Sequence, residues 1–218
     1  MNNKKTKLYE ELKHSILIMD FRPDQALDEL AISAQYGLSR TPVRDTFRRL
    51  AGEGYVEIRA NHGARVSSMG PELHRSFLSV APLVFTAIGR LAVQGCTLLQ
   101  LKKLEAAHDR YSAASAAKQA RQMILENHRF HEVLGEMAAN PYLDASISRL
   151  LLDQTRLNLL TQGLTGPQAQ RDGCQEWQVE VVDAIGDRDE ARVTTLILRY
   201  WDRALQVRVA AGQSYFQE

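Results

Sequence analysis

Arg40, Arg44 and Arg48 recur every four residues, a spacing that carries three guanidinium groups to one face of an α-helix. A guanidinium is planar, permanently charged and forked, so such a row can neutralise phosphates and pair bidentately with the O6 and N7 edge of guanine. Ser39 and Thr41 fall at the start of the same segment, where hydroxyls and first-turn backbone N–H groups suit a phosphate. Arg49 adds a further charge, and only Asp45 opposes the group within those ten positions. Further on, His62 and Gly63 mark a turn that permits close approach of backbone to a groove, with Arg65 nearby for the sugar-phosphate chain. Charges at i, i+4 are more often a solvated helix face, so the meaning of this row depends on the elements around it.

A second set of polar side chains lies on otherwise apolar helical stripes. Ile124, Asn127, His131 and Leu134 share a face, as do Trp177, Gln178, Val181 and Ile185, and Val193, Leu196 and Tyr200. Amide, imidazole and phenol groups carried into a core need hydrogen-bond partners, so they either satisfy one another or await a ligand. Arg156, on a segment otherwise rich in Leu, is a candidate anchor for an anionic molecule, although such an arginine is more often exposed. His131 with Tyr200 would make an acid–base pair, but no nucleophile motif, phosphate loop or metal-ligand set accompanies them.

The elements that would present the arginine row can be read from apolar spacing and turn signals. Leu8, Leu12, Ile16 and Met19 predict a first helix that stops before Pro23. Asp28 is placed to cap a second, closed by Gly37, and Ser39 to cap a third, in which Pro42 is tolerated because the first turn lacks an acceptor for its missing N–H. Val43, Phe47 and Leu50 form the apolar stripe of that third helix, which ends near Gly52 to Gly54. Residues 55–59 and 64–66 read as two short strands joined by a turn-rich connection. Three helices and a hairpin make a winged helix-turn-helix.

Beyond a short linker at residues 67–71, strand patterning gives way to about six helical segments. Their breaks fall near Gly95, Lys118, Asn140-Pro141, residues 163–167 and Gly186 to Arg188. In the first of them Pro82 is expected to kink the helix or to start a new one. Phe77, Leu78, Val84 and Phe85 there suit core packing, an apolar pocket wall or a dimer face.

With 44% hydrophobic and 24% charged residues, the 218-residue chain is ordinary globular material. No stretch is read as approaching the roughly 20 apolar residues of a membrane span, and the opening Met-Asn-Asn-Lys-Lys lacks the apolar segment of a signal peptide, which predicts a cytosolic protein without a membrane partner. Cys96 and Cys174 are far apart and outside any CxxC, so they are read as buried apolar residues and not as a disulfide or zinc module. The net charge of +1 divides as +2 over residues 1–70, with 11 basic against 9 acidic groups, and −1 over the rest. A weak average can still contain the local patch that a nucleic-acid binder needs.

Leu27-Asp-Glu29, Tyr36-Gly-Leu-Ser-Arg-Thr-Pro-Val-Arg44, Arg49-Leu50 and Glu53-Gly-Tyr55 closely resemble the GntR family of bacterial repressors over residues 6–66. The resemblance implies that Arg40, Arg44 and His62 stand at positions that contact the operator. Asp24 departs from it, standing where the family usually has Gly. The helical remainder resembles the FadR-type branch, whose FCD bundle dimerises and binds the effector. That likeness rests on Phe130-His131, Asn140-Pro-Tyr-Leu143, Ala184-Ile185 and Asp189 to Val193. Many such bundles hold a divalent metal through an Asp and three His. By position, Asn127 replaces the Asp, His131 is kept, and Gln178 and Tyr200 stand near the other two, so no metal and no cofactor is expected here.

The reading that follows is a mainly α protein, with an N-terminal winged helix-turn-helix over residues 1–70 and an all-α bundle over residues 71–218. Its expected role is a transcription repressor or other regulator that binds a pseudo-palindromic double-stranded DNA operator as a homodimer and answers to a small organic effector. The alternatives are a dimeric DNA-binding protein blind to effectors, or an enzyme using the bundle.

Overall fold

A computed structural model describes the backbone of residues 2–59, 63–161 and 167–215, and side chains over residues 3–59, 63–160 and 173–203. The chain divides into two compact units, Met1–Leu73 and His74–Glu218.

The first unit runs α1 (Asn2–Leu17), β1 (Ala26–Leu27), α2 (Glu29–Tyr36), α3 (Arg40–Gly52), β2 (Val56–Arg59) and β3 (Gly63–Val66). Leu8, Leu12 and Ile16 from α1 meet a core built from Ile32 of α2, Val43, Phe47 and Leu50 of α3, and Val56 and Val66 of the strands, all buried. Burying each of these side chains is worth about 1.5–3 kcal/mol, which is what holds short helices together that would not persist alone. Asp28 caps α2 by accepting from the N–H groups of Leu30 and Ala31 at 2.8 and 3.1 Å. Gly37 ends it at φ 57°, a left-handed conformation that glycine adopts without a Cβ penalty. Ser39 occupies the N-cap position of α3 but makes no side-chain cap hydrogen bond.

The sheet is antiparallel in the order β1-β3-β2, with Val56 opposite Val66, Ile58 opposite Ala64, and Ala26 opposite Arg65. β1 is an addition to the two strands read from sequence; two residues are too few to show alternation. Asp24 adopts φ 62° two residues before β1, and its N–H donates to Val66 O at 3.1 Å. That left-handed turn suits Gly, and Asp is among the residues that tolerate it best.

The second unit is built from α4 (Pro71–Gly95), which it takes up from His74 onward, α5 (Leu98–Ala116), α6 (Ala120–Ala138), α7 (Pro141–Thr161), α8 (Pro167–Gly186) and α9 (Glu190–Tyr215). Thr97 and Gln100 form a reciprocal capping box at the start of α5. Lys118, Ala139 and Arg188 turn the chain between helices at positive φ. The break expected at residues 163–167 lies almost wholly outside the described residues.

Two expectations for α4 need correcting. Of the two outcomes expected at Pro82, a new helix does not start there, because the helix is continuous through it; Ala81 and Phe85 beside it are fully packed, and such packing outweighs the one backbone hydrogen bond a proline forfeits. The same helix contains an 18-residue window that, by length and composition alone, is apolar enough to cross a membrane, 39% of it buried in the protein. The sequence reading missed it because Arg90 and scattered Ser and Thr interrupt the run. Its packing is that of a bundle helix: Phe77 meets Trp201 edge-on at 5.7 Å, and a Cβ on Gly89 would stand 2.2 Å from Ile197 Cδ1.

The middle of α7 is enclosed. Residues 150–156 are all buried, so Asp153, Gln154, Thr155 and Arg156 carry four consecutive polar side chains into the interior on every side of the helix. Arg156 is 0% exposed, which corrects the default of an exposed arginine.

Candidate nucleic-acid interface and bundle centre

Arg40, Arg44 and Arg48 are exposed along α3, while Val43, Phe47 and Leu50 of the same helix are buried. The row is not loose. Arg40 Nε donates to Glu29 Oε1 at 2.5 Å and Arg44 Nε to Glu29 Oε2 at 2.8 Å, so one carboxylate at the first position of α2 holds two guanidinium groups. Hydrogen bonds from Arg44 and then Arg40 hold the Glu29 carboxyl below the ordinary range, against the opposing effect of desolvation. Arg48 pairs with Asp45 at 3.3 Å and is 70% exposed. Ser39 and Thr41 are exposed at the head of the helix. With no side-chain cap from Ser39, the first-turn N–H groups of Arg40 and Thr41 stay open to an acceptor.

Arg49 is placed differently. Its guanidinium lies 3.5 Å over the Tyr9 ring and its Nε donates to Glu53 at 3.2 Å. Glu53 also accepts from the Tyr9 hydroxyl and from Lys13, at 2.7 and 3.1 Å. Burial would raise the Glu53 carboxyl, but hydrogen bonds from Tyr9 and Lys13 outweigh it and lower the pKa. Arg49 is thus part of the α1–α3 packing.

In the hairpin, Gly63 is exposed at φ 73° and Arg65 lies on β3 at 4.0 Å from Asp24. His62 lies outside the described residues.

In the second unit, Asn127, His131, Gln178 and Tyr200 come together from α6, α8 and α9. His131 donates from Nδ1 to Asn127 O at 2.8 Å. Its ring stacks on Trp177, centroids 5.4 Å apart and planes 17° apart, and meets Phe85 edge-on at 5.2 Å. Trp177 stacks in turn on Tyr200 at 4.4 Å. Gln178 Nε2 donates to Asn127 Oδ1 at 3.1 Å, and the Cys174 thiol donates to the same oxygen at 3.4 Å. His108 of α5 donates from Nδ1 to Gln178 Oε1 at 3.2 Å, leaving Nε2 to accept the Ser112 hydroxyl at 3.2 Å. Tyr200 takes a hydrogen bond from Gln154 Nε2 at 3.1 Å.

The fifth candidate, Arg156, reaches Asp153 Oδ1 at 3.8 Å, while Arg149 Nε donates to Oδ2 at 2.8 Å. Burial pushes the Asp153 carboxyl up, with Arg149 and Arg156 pulling it down. Asp153 Oδ1, Gln154 Oε1 and Thr86 Oγ1 are buried without a hydrogen-bond partner among the described residues. His108, Ser112, Asp153 and Gln154 are members of this polar interior that sequence reasoning missed. The signal was a polar residue beside Leu104 and Ala107 on α5, and a polar tetrad inside a Leu-rich helix.

These residues do not fit a divalent metal. Two amides, a phenol and one imidazole are a poor donor set, and the imidazole spends Nδ1 on a carbonyl and one face on an indole. Among the described residues no group of three or more His, Cys, Asp or Glu could hold an ion.

Comparison with known proteins gives concordant matches for both units. Residues 4–66 match the bacterial regulatory proteins of the gntR family, and residues 86–203 match the FCD domain. The chain is 27% identical over 131 residues to the HTH-type transcriptional repressor RspR of Escherichia coli K12, covering 60% of this chain and 58% of that protein. It is 25% identical over 140 residues to the HTH-type transcriptional regulator YdhC of Bacillus subtilis, covering 62% and 61%. The chain thus aligns with somewhat less than two thirds of the length of these relatives. Among solved structures, Escherichia coli McbR/YncC shares the fold at a TM-score of 0.79 and 18% identity, over 94% of this chain and 96% of that one. A GntR-family transcriptional regulator from Pseudomonas syringae pv. tomato matches at 0.56 and 16%, over 97% and 88%.

Proposed function

The chain belongs to the GntR family of bacterial regulatory proteins, with an FCD domain behind its DNA-binding domain, and from that premise we propose a homodimer that reads a pseudo-palindromic operator with an affinity set by a small organic effector. In this reading residues 1–70 contact double-stranded DNA in the cytoplasm and residues 71–218 dimerise and bind the effector. A two-fold dimer presents two α3 helices to two half-sites, which is why the operator should be palindromic.

The observation that carries the proposal is the exposed Arg40–Arg44 pair, anchored on Glu29 and flanked by the uncapped first turn of α3. In this reading Arg40 and Arg44 address base edges, while Ser39, Thr41 and Arg48 address phosphates, as do His62, Gly63 and Arg65 from the hairpin. Arg49 serves the packing of α3 on α1. The test is enrichment of a random duplex pool on the purified protein, followed by titration of the selected site with wild type and Arg44→Ala.

The effector site proposed is the bundle centre, with Asn127, His131, Gln178, Tyr200 and Arg156 as its polar groups and Phe85, Trp177 and Trp201 as its aromatic wall. The buried acceptors Asp153 Oδ1 and Gln154 Oε1 support it, because a ligand N–H or O–H would satisfy them. The run from Ser112 through His108 and Gln178 to Asn127 favours the second reading, a bundle whose polar groups satisfy one another and which only dimerises. Thermal shift against a metabolite panel separates the two, since a ligand of the native state raises the melting temperature.

A further inference from the structure

Glu29 lies outside the arginine row, yet both of its oxygens are spent on that row. It opens α2 directly after the Asp28 cap, so the same hydrogen bonds that start the helix fix the backbone from which its side chain extends. Its side chain is 20% exposed, against 56% for Arg40 and 54% for Arg44, which places the carboxylate beneath the two guanidinium groups. The hydrogen bonds from Arg44 and Arg40 hold the carboxyl below its ordinary pKa, which favours the charged form that pairs with both guanidinium groups.

Both contacts use Nε, the inner edge of the guanidinium. What remains outward on each arginine is the Nη1–Nη2 fork, which matches the O6 and N7 pair of guanine end-on. Side chains otherwise free to sample many rotamers are held as two forks at a fixed separation, which lowers the ordering cost when bases are met. The carboxylate also offsets one of the two positive charges. Non-specific attraction to phosphate grows with the number of cations presented, so the discount falls mainly on wrong sequences.

We propose that Glu29 is the positioning residue that sets sequence discrimination in this protein, by aiming Arg40 and Arg44 at base edges and by reducing their attraction to phosphate. The inference rests on the reading that α3 contacts DNA. It assigns specificity to a residue outside that helix.

The test uses the full-length protein, the duplex enriched on wild type and a scrambled duplex of equal length, titrated from 50 to 300 mM salt. Glu29→Gln keeps the size of the side chain and removes its charge. It should lower the ratio of selected to scrambled affinity by at least tenfold, weakening the first and tightening the second, and should steepen the salt dependence on the scrambled duplex by about one ion. Glu29→Asp, charged but shorter, should keep the wild-type salt dependence while losing part of the discrimination. A ratio within twofold of wild type in Glu29→Gln overturns the proposal. So does an equal loss on both duplexes with a lowered melting temperature, which is the mark of a merely structural role. If Glu29→Gln fails to fold, the aspartate variant decides: unchanged discrimination there overturns the aiming role. Normal operator binding by Arg40→Ala and Arg44→Ala would instead sink the underlying assignment of α3.

Discussion

The imidazole of His131 lies flat against the indole of Trp177, 5.4 Å between centroids and 17° between planes, while its Nδ1 donates to the carbonyl of Asn127. The position at which the FCD resemblance would put a metal ligand is thereby built into an aromatic stack. Trp177 is in turn fixed by its Nε1–H on Leu196 O at 2.9 Å and by Tyr200, whose ring stacks on it at 4.4 Å and also lies 5.8 Å from His131.

The first prediction follows from that stack. Zinc, nickel or manganese added at tenfold excess should leave the melting temperature unchanged, and EDTA should leave it unchanged too, because a ligand that does not bind the native state cannot stabilise it. A metal-dependent rise of several degrees, lost on chelation, would show that the donors rearrange around an ion.

At Gly89, α4 lies close against Val193 and Ile197 of α9. A Cβ there would stand 2.2 Å from Ile197 Cδ1 and 2.8 Å from Val193 Cγ1, inside contact distance of two buried side chains. Gly89→Ala should therefore destabilise the bundle by about 1–3 kcal/mol despite the better helix propensity of Ala. Urea denaturation measures it, and an unchanged midpoint would mean the helices have room to separate.

Arg49 separates packing from DNA reading. Its guanidinium over Tyr9 and its pairing with Glu53 are largely exposed, so Arg49→Ala should cost about 0.5–1 kcal/mol of stability. At a temperature where the variant is folded, its operator affinity should stay within about threefold of wild type. A loss as large as that of Arg44→Ala would place Arg49 on the duplex.

Glu132 gives a pH prediction. Burial alone would raise its carboxyl, but hydrogen bonding and charge from His128, then from Arg129, outweigh it and hold the pKa down to about 2. A depressed folded-state pKa contributes stability that is present above the unfolded value of about 4.3 and is lost as pH falls through the folded value. The slope should fall between about pH 4.5 and pH 2. Glu132 is 40% exposed, so solvent screening keeps the effect within about 1 kcal/mol. Denaturation of wild type and Glu132→Gln across that window checks it; identical slopes would contradict the pairing.

How much of this was legible in sequence depended on range. Asp28, Gly37 and Pro42 act within one turn, and the helix boundaries they imply are the observed ones. The apolar stripes containing Asn127, His131, Gln178 and Tyr200 were visible because core-facing positions repeat with helical period, and the four do converge. What escaped was whatever a distant element decides. β1 exists because β3 pairs with two residues that carry no strand pattern of their own. Pro82 stays inside a helix because the packing of Ala81 and Phe85 holds it there. Arg156 is buried because the other helices enclose α7, which no local pattern announces. Ser39 has the type of a capping residue yet makes no cap bond. Glu29 was visible only as part of a motif, since its partners lie 11 and 15 residues further on.

The central claim is that α3 addresses the major groove through Arg40 and Arg44. Its most direct test is the affinity of wild type, Arg40→Ala and Arg44→Ala for the enriched duplex at fixed salt, with a scrambled duplex beside it. Each substitution should cost about 1 to 3 kcal/mol on the enriched site and much less on the scrambled one. Equal affinities of all three proteins for the enriched site would contradict it.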